Sequence, residues 1–207
     1  MTPAHCTQTR LWLSNIVLSV LVLLLTGCAQ SQEHWNGKNI SGLMPDLEFS
    51  LTDETGNTVT EADSAGQVRL LFFGFTSCPD VCPTTLSNLS KAVRQMPEEL
   101  QKDVTTFFVS VDPERDTPER LRNYVSFFGE RVAGVTGDEP ALRKLAKRYR
   151  TTFGYEEPDA FGNYEVSHSA AVYVFDGAGN VRLLFRSDLT AEMISKDLTA
   201  LVREQKS

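Results

Sequence analysis

The sequence contains little cysteine and little histidine: its 207 residues include four cysteines and three histidines. It also has no long run of basic residues, and its formal net charge is −7 at pH 7. Nucleic-acid binding depends mainly on cationic side chains that neutralise phosphates, so this charge balance excludes a nucleic-acid-binding protein. The few thiols and imidazoles therefore become the main candidates for chemistry.

Charge is almost absent from the N-terminal segment, where Arg10 is the only charged residue before position 33. The largely apolar run 11–25 is shorter than the roughly 20 residues of a membrane-spanning helix. It ends in LTGC at 25–28, which resembles the lipobox of bacterial lipoproteins, whose cysteine is lipidated and becomes the first mature residue. We therefore predict a signal peptide at 1–27, a lipid anchor on Cys28 and an extracytoplasmic location on the periplasmic side. An uncleaved signal-anchor helix is the alternative.

The predicted processing leaves only two free thiols, because Cys6 leaves with the signal peptide and Cys28 carries lipid. The remaining pair, Cys78 and Cys82, lies in the stretch TSCPDVCPTT at 76–85. The mature chain therefore has no disulfide framework. The two thiols are one residue further apart than in the C-x-x-C motif of disulfide-exchange enzymes, which leaves structural, redox and metal-binding roles open.

The rest of the chain predicts a flexible tether at 28–42 and one domain at 43–207. Apolar runs that fit buried strands alternate with helical patterns, and a hairpin and a final helix follow. This order is typical of an α/β, thioredoxin-like sandwich with a mixed central sheet, an N-terminal strand extension and a hairpin-like insertion before the histidine-bearing loop. The main predicted elements are strands at 47–51, 68–75, 104–111 and 132–135, helices at 82–96, 117–128, 138–149 and 191–203, a polar insertion at 151–165 and a hairpin at 172–185.

The predicted fold brings His168 to the cysteine pair. His168 directly precedes the first strand of the hairpin, and in thioredoxin-like folds the loop that enters this strand lies against the cysteine turn. His34 falls in the tether, and we expect it to be solvated. Thiolates select Cu(I), zinc or iron–sulfur clusters, and imidazole suits copper and zinc. The residues alone therefore predict a three-ligand site for a soft metal.

Three blocks then carry a family resemblance: FGFTSCPDVCP at 73–83, SVDPERDTP at 110–118, and the histidine followed by serine at 168–169. Their order over about 43–205 resembles the Sco/SenC family of copper chaperones for cytochrome c oxidase assembly. The resemblance implies that one copper ion, as Cu(I) and/or Cu(II), is bound by the ligands Cys78, Cys82 and His168. It also implies Asp112 as a nearby acid in the second shell of the site, whereas we interpret Asp116 as a solvated helix-cap residue.

The sequence leaves three candidate functions. A copper chaperone would be tethered to the membrane through its lipid anchor and would deliver copper to the CuA site of the oxidase. Its partners would be the copper-bearing subunit and other extracytoplasmic copper chaperones or thiol reductants. A thiol–disulfide reductase is the second candidate, although the wider cysteine spacing and His168 count against it. A peroxiredoxin-like peroxidase ranks last, because Thr76 lies two residues before Cys78 rather than the three of a T-x-x-C motif.

Overall fold

The computed structural model describes residues 34–207, so the predicted signal peptide and Cys28 lie outside the described residues. Within this part of the chain, no helix has the length and apolar composition needed to cross a membrane. The strands are β1 (Lys38–Asn39), β2 (Ser50–Asp53), β3 (Thr58–Thr60), β4 (Val68–Gly74), β5 (Val104–Ser110), β6 (Val132–Thr136), β7 (Phe153–Tyr155), β8 (Val166–His168), β9 (Val172–Phe175) and β10 (Val181–Phe185). The α-helices are α1 (Val81–Arg94), α2 (Glu98–Gln101), α3 (Pro118–Ser126), α4 (Glu139–Arg148) and α5 (Ala191–Glu204), and a 3₁₀ turn spans Glu61–Ser64.

Eight strands form one mixed sheet in the order β1-β10-β9-β4-β5-β6-β2-β3. The apolar strand β4 lies near the centre, parallel to β5 and antiparallel to β9, and all seven of its residues are buried. A strand can be apolar on both faces only where layers cover both sides of the sheet. The sequence of β4 therefore requires a three-layer arrangement.

Two apolar clusters cover the two faces of the sheet. Helices α1, α3 and α5 pack on one face, for example through Leu86, Leu121 and Leu198. Helix α4 packs on the other face through Leu142, together with the hairpin formed by β7 and β8. Proline at the first turn and a capping hydroxyl begin α3, where Thr117 accepts a hydrogen bond from a backbone N–H of the first turn. These layers are the α/β sandwich with a mixed sheet that the sequence predicts, and the insertion is a hairpin.

Two elements differ from the sequence expectation in position. Strand β2 begins at Ser50 rather than at Leu47, and it is the second strand from the edge of the sheet because β3 pairs along its outer side. His168 is the last residue of β8, paired opposite Phe153, instead of lying in the predicted loop. The pairing of β8 with β7 therefore sets the backbone position of His168 opposite Phe153.

The C-terminal part of the predicted tether at 28–42 is packed on the domain, which corrects that prediction. Strand β1 pairs with β10, and Ile40 is buried. The carboxylate of Asp197 in α5 is itself buried and accepts hydrogen bonds from the backbone N–H groups of Asn36 and Gly37 at 3.1 and 2.8 Å. Asn36 and Gly37 thus provide hydrogen-bond donors for a buried carboxylate. Amino-acid composition alone does not distinguish such a polar segment from a flexible linker.

Candidate metal centre

The turn that carries Cys78 begins where β4 ends. The backbone N–H of Cys78 donates to the carbonyl oxygen of Phe75 at 3.2 Å, which closes the turn. The Cys78 side chain is partly exposed and packs against both apolar clusters. Cys78 therefore lies at the end of the sheet, between the two apolar clusters.

Asp116 fixes the start of this turn, which corrects its interpretation as a solvated cap. Its carboxylate is fully buried and accepts hydrogen bonds from the backbone N–H and the hydroxyl of Thr76, at 2.8 and 2.6 Å. The hydroxyl of Ser110, at the end of the adjacent strand, donates to the same carboxylate at 2.6 Å. Arg120 in α3 extends the network through donations to Thr76 and Ser77. Asp116 therefore ties the cysteine turn to β5 and α3.

Cys82 lies in the first turn of α1, and its side chain has no exposed surface. Its backbone N–H donates to the sulfur of Cys78 at 3.4 Å. Free N–H groups and the helix dipole both favour negative charge at this end of a helix. Burial, and to a smaller extent the neighbouring Cys78 and Asp116, raise the pKa of the Cys82 thiol well above its usual range, which favours the protonated thiol when no metal is bound. A metal ion that bound this sulfur would therefore have to displace a proton.

His168 directs one ring nitrogen towards the cysteine pair. Its Nε2 lies 3.3 Å from the Cys82 sulfur, and its Nδ1 lies 3.1 Å from the carbonyl oxygen of Ser169. Because a carbonyl oxygen can only accept, Nδ1 carries the proton and Nε2 keeps its lone pair. Burial lowers the pKa of His168, which favours this neutral ring. The rings of Phe72 and Phe75 contact the imidazole edge-to-face, at centroid distances of 6.1 and 5.7 Å, and hold its plane.

The two sulfurs and the imidazole nitrogen form one compact donor group. The ligand atoms of Cys78, Cys82 and His168 all lie within 4.8 Å of one another. Both cysteines are free thiols. Soft sulfur donors with one imidazole fit copper or zinc and are a poor match for hard ions such as Mg²⁺ or Ca²⁺. The residues present therefore fit a copper ion, and the structure brings together the three side chains that the sequence predicts as ligands.

Asp112 lies near this centre but reaches it only through other side chains. Its carboxylate is buried, is paired with Arg115 and accepts a hydrogen bond from the Tyr164 hydroxyl at 2.6 Å. The Arg115 guanidinium lies 5.7 Å from the ring centroid of Phe75, which in turn contacts His168. Among the hydrogen bonds of residues 34–207, none joins Asp112 to a proposed metal ligand. A supporting role of Asp112 near the metal ligands stays a prediction, and Asp112 would act through Arg115 and Phe75.

Gly74 lies against the candidate site, and reasoning from the sequence missed it. A Cβ atom at Gly74 would lie 2.6 Å from the Cys82 sulfur and 2.6 Å from Cε2 of Phe108. The absence of a side chain therefore leaves the space that the buried thiol occupies. The sequence did contain an indication of this role, because Gly74 is the only glycine in a strand that is otherwise largely apolar.

We expect Asp116→Ala to lower the free energy of unfolding by about 3 kcal/mol, because it leaves buried donors of the cysteine turn without an acceptor. Chemical denaturation of the metal-free protein measures this loss. Asp138→Ala is the control, since Asp138 caps α4 from an exposed position and its loss should cost only about 1 kcal/mol. Equal losses in the two variants would contradict a special role for Asp116.

Comparison with known proteins places these features in a family. The sequence profile of SCO1/SenC matches residues 42–203. The mitochondrial SCO1 homolog of Homo sapiens is 38% identical over 132 residues, which are 63% of this chain and 44% of the human protein. A SCO2-like protein of Rickettsia typhi is 32% identical over 154 residues, 72% of this chain and 74% of that protein. The chain thus spans about half the length of the mitochondrial relatives, at 44% of the human and 56% of a bovine protein.

Solved structures agree with the sequence comparison. The copper-bound ScoI of Bradyrhizobium japonicum is 37% identical and superposes with a TM-score of 0.69, over 75% of this chain and 98% of that one. The apo Sco1 of Thermus thermophilus is 36% identical with a TM-score of 0.71, over 83% and 99% of the two chains. The fold, the profile match over most of the chain and the identities above 30% all agree, and this chain belongs to the SCO1/SenC family.

Proposed function

We propose that this protein binds one copper ion through Cys78, Cys82 and His168 and delivers it to the CuA site of cytochrome c oxidase. The observation that carries the proposal is the convergence of the three ligand atoms within 4.8 Å. Copper-bound relatives from Bradyrhizobium japonicum and Arabidopsis thaliana, 37% and 31% identical, support copper as the metal. The oxidase as target is supported by the resemblance of the cysteine block to the Sco/SenC copper chaperones.

The arrangement of the ligands suits a carrier rather than a permanent metal site. Structural zinc sites are closed by four protein ligands, whereas the described residues supply three here. Cys78 is partly exposed while Cys82 is buried. With three protein ligands, a ligand of the acceptor can bind the metal at the open fourth position before the protein ligands release it.

A thiol–disulfide reductase remains the second candidate, because both cysteines are free and adjacent. In that function the thiolate of one cysteine attacks a disulfide of the partner, and the other cysteine resolves the mixed disulfide. Such a mechanism needs no imidazole on the buried sulfur, yet the His168 ring contacts Cys82 at 3.3 Å. His168 therefore distinguishes the two functions.

We expect cells that carry only the His168→Ala variant to lose most cytochrome c oxidase activity, because the carrier has lost one of three copper ligands. A reductase would keep both thiols and most of its activity. Oxidase activity in membranes, compared between this variant, Cys78→Ala and a deletion strain, measures the difference. Addition of copper should partly restore the deletion strain. Full activity with His168→Ala and none with Cys78→Ala would leave the dithiol as the functional unit.

We further propose that Cys28 carries the lipid that anchors the domain outside the cytoplasm. Cys28→Ser should block acylation and move the protein from the membrane to the soluble extracytoplasmic fraction. Fractionation and mass spectrometry of the N-terminus measure the result, with Cys6→Ser as the control that should stay anchored. A Cys28→Ser protein that remains in the membrane at its original size would favour the signal-anchor alternative.

A further inference from the structure

A groove of about 650 Å³ begins beside the candidate metal centre and follows helix α1. Pro83, next to Cys82, and Ala170, two residues after His168, line the end nearest the centre. The floor is apolar and includes Phe185, while polar side chains of α1 form one wall. One end of the groove is therefore lined by residues that lie within two positions of Cys82 and His168 in the sequence.

The charged side chains that line this groove are all basic. Lys91 and Arg94 lie on α1, and Arg186 lies across the groove just after β10. All three are exposed, and none forms an ion pair with any residue of 34–207. The groove thus carries three positive charges in a chain whose formal net charge is −7.

We propose that the groove docks an extended acidic segment of the protein that receives copper. This inference rests on the proposed function for the identity of the partner. Helix α1 between Pro83 and Arg94 rises about 16 Å, which matches about five residues of an extended chain. Carboxylates on alternate residues of such a segment would face the groove together. Arginines on both walls can bind carboxylates in a bidentate manner, which fixes orientation as well as affinity.

The composition of the surface favours a peptide over a membrane. Lipid-binding basic surfaces carry clusters of about four to eight Lys or Arg residues, whereas only Lys91, Arg94 and Arg186 line this groove, beside apolar residues such as Phe185. An extended segment fills the groove, satisfies cations on both walls and has one end beside Pro83 and Ala170, close to the candidate metal centre.

The test uses the full chain in mild detergent, in copper-free and copper-loaded forms. The probe is a labelled peptide of about nine residues in which glutamate alternates with valine, and a second peptide carries glutamine in place of glutamate. The groove variant is Arg94→Glu/Arg186→Glu. The matched control, Lys144→Glu/Lys147→Glu, makes the same charge change on α4, which covers the opposite face of the sheet.

We expect wild type and control to bind the acidic peptide alike, and the groove variant to bind it at least about tenfold more weakly. Binding to the glutamine peptide should be weaker by a similar factor, and salt should weaken binding of the acidic peptide. Copper affinity should be unchanged in both variants, while copper transfer to the isolated copper-bearing domain should slow about tenfold only in the groove variant. Equal peptide binding by groove variant and control would overturn the proposal.

Two further outcomes separate this inference from other occupants and from the proposed function. Stronger groove-dependent binding to vesicles of phosphatidylcholine and phosphatidylglycerol in equal parts than to the peptide would assign the surface to the membrane and overturn the proposal. Groove-dependent peptide binding by a wild-type protein that transfers no copper would support the docking site and contradict copper delivery.

Discussion

Replacement of Cys82 by alanine should weaken copper binding at least about 100-fold, a larger loss than the 10–100-fold expected for residues that only support a ligand. The change removes the buried sulfur that lies 3.3 Å from His168 and leaves one thiolate and one imidazole. Such a pair lacks the second soft donor that favours Cu(I). Cys78→Ala should have a similar effect, because it removes the other sulfur. Competition with a chromophoric Cu(I) chelator measures both affinities.

Ser90→Ala is the matched control for Cys82→Ala. Ser90 is also buried on α1, at 7% exposure, and its replacement removes one small polar atom from the same helix. We expect this control to bind copper as tightly as wild type. A Cys82→Ala protein with copper affinity within about threefold of the control, a difference of about 0.7 kcal/mol, would contradict the assignment of Cys82 as a ligand.

Gly74→Ala should disturb the copper site without changing any ligand. The new methyl group would lie 2.6 Å from both the Cys82 sulfur and the Phe108 ring, so at least one of them must move. Such overpacking costs about 1–3 kcal/mol of stability. If most of the strain displaces the sulfur, copper affinity falls about tenfold or more, because 1.4 kcal/mol corresponds to a factor of ten. The absorption spectrum of the Cu(II) form should change as well.

Gly134→Ala provides the comparison for that change. Gly134 lies in β6, where a methyl group would meet Val125 and Leu121 at 3.1 and 3.3 Å, away from the thiols. Denaturation should show some loss of stability in both variants, but only Gly74→Ala should change the copper spectrum. Identical wild-type spectra for both variants would show that the Gly74 position does not control the placement of Cys82.

The fold was largely predictable because its strongest signals are local. The apolar run of β4 and the proline and hydroxyl at the start of α3 indicate their elements without any tertiary information. The convergence of Cys78, Cys82 and His168 was predictable for a different reason: once the fold is thioredoxin-like, its topology brings these positions to one end of the sheet.

The parts that the sequence did not predict depend on long-range hydrogen bonds. Asp116 resembles an ordinary helix-cap acid in sequence, yet its partner Thr76 is 40 positions away. Asn36 and Gly37 resemble a linker, yet they bind Asp197, 161 and 160 positions away. Polar residues at such positions have the same composition whether they face water or a buried partner, so local patterns cannot distinguish the two cases.

X-ray absorption spectroscopy of the copper-loaded protein tests the central claim most directly, because it counts the atoms bound to the metal. We predict two sulfur ligands and one imidazole nitrogen for the wild type, with the imidazole signal absent in His168→Ala and one sulfur absent in Cys78→Ala. A wild-type spectrum with fewer than two sulfur ligands, or an imidazole signal that persists in His168→Ala, would contradict the three-ligand site.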